Sequence, residues 1–188
     1  MKYLALSGSS REDSVNQKTV NAMAASLRAL SAEVTDITLN DFDLPLYNGD
    51  LESSAGLPEA AQRFQTLIHA SGGLIIGCPE YNGYMTPLLL NTIDWSTRSK
   101  DGGADLSAFR DRPILITSAS PGAMGGARAN TQLRTLLIGI GCLVLPDNFA
   151  VGGAMSAFDE TGVFVDDKLQ SRADGIALRF DEFTRRNR

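Results

Sequence analysis

Tyr3-Leu4-Ala5-Leu6 runs into Ser7-Gly8-Ser9-Ser10-Arg11-Glu12-Asp13-Ser14-Val15-Asn16, after which Val20, Met23, Leu27 and Leu30 recur at helical spacing. The order is strand, loop, helix. Small hydroxyl residues and the free N–H groups of a first helical turn converge there on one point, where the helix dipole favours an anion. Arg11 adds a planar guanidinium suited to phosphate. A plain helix cap at Ser14 or Asn16 is the simpler reading, but it needs neither Arg11 nor the hydroxyls of Ser9 and Ser10.

The same alternation of periods continues along the chain and decides the fold class. Apolar runs at 3–6, 34–39, 74–78, 114–117 and 142–145 read as strands, the third and fourth continuous enough for burial on both faces. Helical spacing joins Leu57, Ala60, Phe64 and Leu67, then Leu133, Leu136, Leu137 and Ile140, and finally Leu169, Ala173, Ile176, Phe180 and Phe183. Pro58 and Asp166-Asp167 are start signals for two of these helices. An α/β domain follows, with a mostly parallel sheet covered by helices on both faces. No boundary or repeat divides residues 1–188, and the least regular stretches are 40–56, 99–112 and 152–162.

Composition narrows the function. The 188 residues are 43% hydrophobic and 21% charged, ordinary for a globular domain. A formal charge of −5, from 17 basic and 22 acidic residues, argues against nucleic acid or an anionic membrane as partner. Arg185, Arg186 and Arg188 close the chain where they compensate a helix dipole. Without a signal-like start or a spanning apolar run, a cytoplasmic location is expected. Cys78 and Cys142 lie in apolar runs and read as buried small hydrophobes; His69, the single histidine, leaves no metal cluster and no histidine-based triad.

In an open parallel sheet, ligands bind beyond the carboxyl ends of the strands. The segments in that position after the first, third and fourth strands are 8–16, 79–87 and 118–126, and these are also the compositionally unusual loops. The first carries neither Gly-x-Gly-x-x-Gly nor Gly-Lys-Ser/Thr, and it lacks a cysteine nucleophile, so it is built to hold a phosphate rather than cleave one. The second, Pro79-Glu80-Tyr81-Asn82-Gly83-Tyr84, offers ring faces at Tyr81 and Tyr84 and close backbone approach at Asn82 and Gly83, as a flat heteroaromatic ligand requires. A turn pinned by two prolines is its bland reading. The third loop is glycine-rich, and Arg128 behind it stands at an unfavourable end of its helix, with an external partner or solvent to face.

These residues resemble the NADPH-dependent FMN reductase family, the flavodoxin-like quinone, azo-compound and chromate reductases. Gly8, Ser9, Arg11, Ser14 and Asn16 meet its Gly-Ser-x-Arg-x-x-Ser-x-Asn pattern, and Pro79 to Asn82 meet its Pro-Glu-Tyr-Asn. Asn91, Ile93, Asp94 and Trp95 meet Asn-x-Ile-Asp-Trp, and Gly122, Gly125 and Gly126 the glycine-rich loop. The resemblance implies a flavodoxin-like three-layer sandwich with a five-stranded parallel sheet in the order 2-1-3-4-5. It also implies FMN as cofactor, its phosphate held by Ser9, Arg11, Ser14 and Asn16. Its ring would be bordered by Pro79, Glu80, Tyr81, Asn82 and Gly83, with Ser118 and Gly122 on the other margin. NADPH or NADH would be the electron donor and a quinone or another small molecule the acceptor, in ping-pong order. No side chain is assigned as catalytic acid or base; Glu80 is read as capping or positioning its loop. Family members are homodimers or homotetramers, which makes the helix after Pro87 an interface element. The chain departs from the family at Pro87-Leu88-Leu89-Leu90-Asn91, where members carry Pro-Gly-x-Leu-Lys-Asn. The alternative function is a flavodoxin-type electron carrier or a flavin-binding redox sensor without NAD(P)H turnover.

Overall fold

The computed structural model describes residues 1–187; Arg188 lies outside them. Strands β1 (Lys2–Ser7), β2 (Glu33–Thr38), β3 (Gly73–Gly77), β6 (Pro113–Ala119) and β7 (Leu143–Val144) stand in the order β2-β1-β3-β6-β7, every pairing parallel. This is the expected 2-1-3-4-5 arrangement. A two-residue-per-strand hairpin, β4 (Glu80–Tyr81) with β5 (Tyr84–Met85), stands off the sheet.

Side-chain alternation along the buried strands sorts the core into two layers. Leu4, Leu6, Leu74, Ile76, Ile114 and Ile116 meet α3 (Glu59–Ala70), α4 (Pro87–Ser96) and α5 (Ala127–Gly139) through Phe64, Ile68, Leu89, Ile93, Leu133 and Leu137. Tyr3, Ala5, Ile75 and Leu115 meet α1 (Val15–Ala29) and α6 (Asp167–Arg186) through Val20, Met23, Leu27, Ile176 and Phe180. Among the described residues no helix is long and apolar enough to cross a membrane.

The single fifth strand expected at 142–145 is corrected. β7 pairs only with Pro113 and Ile114, and the chain then leaves the sheet and returns as β8 (Phe149–Val151), which pairs with Thr117, Ser118 and Ala119. Pro146 has no N–H for the ladder. The carbonyls released in the excursion find side-chain donors: Arg134 bonds Leu145 O at 2.7 Å and Asp147 O at 3.2 Å, and Arg172 bonds Asn148 O at 2.6 Å. Five sheet positions are therefore filled by six strands. The stretch 40–56 is also more regular than expected, holding α2 (Gly49–Ala55), whose N–H groups at Asp50 and Leu51 are capped by Asn48 at 2.7 and 3.3 Å.

The amino edge of the sheet is pinned to α6 by a buried carboxylate. Asp181 accepts the Tyr3 hydroxyl at 2.7 Å and Arg185 Nε at 2.7 Å, and Asp181 and Tyr3 are only 7% and 1% exposed. Burial pushes the Asp181 carboxyl up, but the hydrogen bonds from Arg185 and Tyr3 outweigh it and hold the group below its ordinary value. A depressed carboxylate contributes stability above its unfolded-state pKa, and the contribution disappears as pH falls through the folded-state value. Asp181→Ala, which strands the Tyr3 hydroxyl, is expected to cost about 1–3 kcal/mol in urea unfolding at neutral pH. The gap from the unsubstituted protein should narrow on acidification below about pH 4, the ordinary range of a free aspartate; a gap independent of pH would count against this role.

Candidate functional site

The chain reverses its direction of travel across the sheet between β1 and β3, so the loops leaving their carboxyl ends part and open a crevice. A cleft of about 110 Å³ lies there. Ser9, Arg11, Ser14, Val15 and Asn16 line it from the first loop, Pro79, Glu80 and Tyr81 from the second, and Ala119, Ser120 and Pro121 from the third. A wider depression of about 530 Å³ beside Glu52 and Arg98 has no such convergence. Its buried carboxylate, Glu52, is occupied by Arg98 Nε and the Tyr47 hydroxyl, both at 2.9 Å.

The first loop is held from below. Gly8 N–H donates to Gly77 O at 2.8 Å, one step past the β1–β3 ladder, and Gly8 O accepts the Thr86 hydroxyl at 2.6 Å. The same hydroxyl accepts Leu89 N–H at 3.3 Å and so caps α4. A Cβ on Gly8 would lie 2.8 Å from Leu89 Cβ, so glycine is what lets the loop sit on that helix. Ser9 Oγ accepts Arg11 N–H at 3.3 Å, and Ser14 caps α1 by accepting Gln17 N–H at 3.3 Å. Val15 and Asn16 N–H, in the first turn of α1, have no acceptor within the helix. The Arg11 side chain is exposed and forms no hydrogen bond or ion pair among the described residues. Asn16 sits differently from a simple phosphate ligand: its amide donates to Ala119 O and accepts from Ala119 N–H, each at 2.9 Å, and so ties the first loop to the third.

The second loop is the β4–β5 hairpin. Its two turn residues, Asn82 and Gly83, have φ of +54° and +79°, the left-handed pair that a two-residue hairpin demands. Met85 is buried under it, while Tyr81 and Tyr84 are 49% and 45% exposed, open to a flat partner. Glu80, on the cleft wall, spends its carboxylate on the neighbouring helix: its Oε2 accepts the N–H groups of Arg128 and Ala129 at 3.1 and 3.2 Å. The Arg128 guanidinium turns back to Glu80 at 3.7 Å. Burial, aided by the Glu80 charge, pushes the neighbouring Cys78 thiol up to about 12, and burial does the same for Cys142. His69 is exposed in the last turn of α3.

In the third loop, Ser118 is not on the cleft wall. It is fully buried, donating to Gly125 O at 2.6 Å and accepting Asn130 Nδ2 at 2.8 Å. β8 explains the difference, since its pairing carries β6 two residues beyond the apolar run and moves the loop's start to Ser120. Gly122 stands exposed beyond the rim, and Asn82 and Gly83 form the hairpin tip. Val15, Ala119, Ser120 and Pro121 lie within the loops 8–16 and 118–126 but carry no motif that singles them out as lining residues; the Ser-Pro pair at 120–121, a turn signal, is the one cue for the last two.

Gly8→Ala is expected to lower stability by about 1–3 kcal/mol through overpacking against α4. Its φ lies outside the left-handed region, so space alone decides. Urea unfolding of the variant at unchanged m-value checks this.

Comparison with known proteins agrees with the geometry. The sequence pattern of one family, described as NADPH-dependent FMN reductase, matches residues 1–156. An NAD(P)H-dependent FMN reductase of Pseudomonas aeruginosa is 35% identical over 172 residues, spanning 90% of this chain and 88% of that protein. A quinone reductase of Pseudomonas putida is 33% identical over 184 residues, spanning 96% and 93%. Among solved structures, the flavoenzyme NAD(P)H:(acceptor) oxidoreductase FerB of Paracoccus denitrificans superimposes with a TM-score of 0.83 at 26% identity, covering 99% of this chain and 98% of that one.

Proposed function

The chain belongs to the NADPH-dependent FMN reductase family, and from that premise we propose that it binds FMN in the three-loop cleft and uses NAD(P)H to reduce quinones or other small acceptors. The observation that carries the reading is Arg11, whose guanidinium makes no hydrogen bond or ion pair among the described residues, beside the Ser9 and Ser14 hydroxyls and the free N–H groups of α1. This donor set fits a phosphate monoester. The same cleft is lined by Pro79, Tyr81, Ala119 and Pro121, small and planar groups that suit a flat ring. FMN held there by Ser9, Arg11, Ser14 and the first turn of α1 would supply the redox chemistry, hydride acceptance from NAD(P)H and two-electron delivery to the acceptor in ping-pong order.

The protein's own part is placement. Asn16 holds the first loop to the third and Thr86 holds it to α4, so the phosphate donors stand ready before any ligand arrives. Tyr81 and Tyr84 leave an open approach on which a nicotinamide and an acceptor stack in turn. In this reading no described side chain serves as acid or base: Glu80, the carboxylate that lines the cleft, is engaged by two backbone N–H groups. A homodimer or homotetramer belongs to the same reading. Leu46, 80% exposed, stands beside α4, where Tyr47 N–H bonds Asn91 Oδ1 at 2.8 Å, while Leu88 and Leu90 of that helix are partly buried against the core.

Arg11→Ala is expected to weaken FMN binding by about 1.5–3 kcal/mol, the worth of a charged hydrogen bond. Fluorescence titration of the apoprotein measures it, and an unchanged Kd rejects the phosphate assignment. Anaerobic stopped-flow mixing of the FMN-loaded protein with NADPH or NADH tests the activity. Rapid bleaching of the flavin band, reversed by a benzoquinone, is expected. Flavin that neither donor reduces would point instead to an electron carrier or sensor.

A further inference from the structure

The helix that follows the third loop cannot cap itself. Its N-cap position is Gly126, at φ +86°, and a Cβ there would lie 3.0 Å from Ser118 Cβ and 3.1 Å from Ser118 Oγ. The left-handed backbone and this crowding together disfavour the serine or aspartate that ordinarily satisfies a first turn. The first turn of α5 also has no acidic residue, and Arg128 places a positive charge where the helix dipole already is positive. Both deficits are met from 48 and 49 residues upstream by one side chain, Glu80, whose Oε2 accepts Arg128 and Ala129 N–H. Its Oε1 lies 3.7 Å from the Arg128 guanidinium. The Glu80 side chain is 17% exposed and that of Arg128 62%, so the two backbone bonds carry the contact and the exposed ion pair adds little.

The location of this cap gives it a second consequence. Glu80 lies between Pro79 and Tyr81 on one wall of the cleft, while Ala119, Ser120 and Pro121 on the opposite wall lead into α5. The carboxylate is therefore a polar tie between the two walls, and its charge offsets the positive end of α5 together with Arg128. We propose that Glu80 is a positioning residue for the cofactor: it sets the spacing of the second and third loops and lowers the positive potential that α5 presents to the ring. The inference rests on the assignment of the cleft to FMN.

Two variants separate the tie from the charge. In Glu80→Gln the amide oxygen still accepts the N–H groups of Arg128 and Ala129, but the negative charge is gone. In Glu80→Ala both are gone. The readouts are FMN affinity, by quenching of flavin fluorescence on titrating the apoprotein, and the midpoint potential of bound FMN. Glu80→Ala is expected to bind FMN about tenfold more weakly, as loss of the tie's hydrogen bonds implies. Glu80→Gln is expected to stay within about threefold of the unsubstituted protein, since a neutral acceptor retains most of a hydrogen bond, while its midpoint potential moves positive. The direction follows because the end of α5 and Arg128, no longer offset, favour the negative charge that reduction adds. Wild-type affinity in Glu80→Ala, or an unchanged potential in Glu80→Gln, overturns the proposal, as does a lowered melting temperature with both readouts unmoved. If Glu80→Ala does not fold, the potential of Glu80→Gln decides alone. Failure of the unsubstituted protein to bind FMN is a different result, which removes the cleft assignment itself.

Discussion

A parallel sheet buried on both faces has no strand side chain to spare. In β1, β3 and β6 alternate residues go to one helical layer or the other, and every residue of β3 and β6 is buried. Groups that meet a ligand then come from the carboxyl ends of the strands, the loops that leave them and the first turn of the helix that follows. Parallel pairing puts the carboxyl ends of β1, β3 and β6 on one rim, and the direction change between β1 and β3 separates their loops enough to admit a guest. The position of the cleft follows from how the core is packed.

Loops at such a rim are free to drift, and this chain restrains each with a polar side chain from another loop. Thr86 grips Gly8 while capping α4, Asn16 exchanges two hydrogen bonds with Ala119, and Glu80 reaches α5. Every tie joins a side chain to backbone, so it fixes the path of the chain without consuming the hydroxyls and guanidinium that face the cleft. Each is worth on the order of 1 kcal/mol, and together they lower the ordering that a ligand must impose.

The layered core and the three loops were legible because they depend on local patterns: unbroken apolar runs at 74–78 and 114–117, helical spacing between them, and glycine, serine and proline at the strand ends. The strand β8 was not. Phe149-Ala150-Val151 is too short for a period to register, and it forms because Pro146 breaks the preceding strand and arginines from α5 and α6 satisfy the exposed carbonyls. That hidden strand is also why Ser118, which looked like a loop residue, lies beneath the floor. Glu80 was legible as a residue that caps or positions, but its partner was not, since a contact spanning 48 residues leaves no mark in sequence spacing. Asn16 reads alike as a phosphate ligand and as a bracket, and only the approach of Ala119 reveals the bracket.

The burial of the two cysteines has a chemical consequence for a protein of this family. Quinones are oxidants, but they are also electrophiles that add to thiolates, and the product of that addition is a permanently arylated protein. Cys78 and Cys142 are both buried, with thiols pushed up to about 12, so neither ionises appreciably near neutral pH and neither is within reach of a molecule in solution. Cys78 directly precedes Pro79 of the cleft wall, yet its sulfur faces the α3, α4 and α5 core layer. The fold thus keeps its most nucleophilic atoms away from the electrophiles that a quinone reductase would draw to its surface.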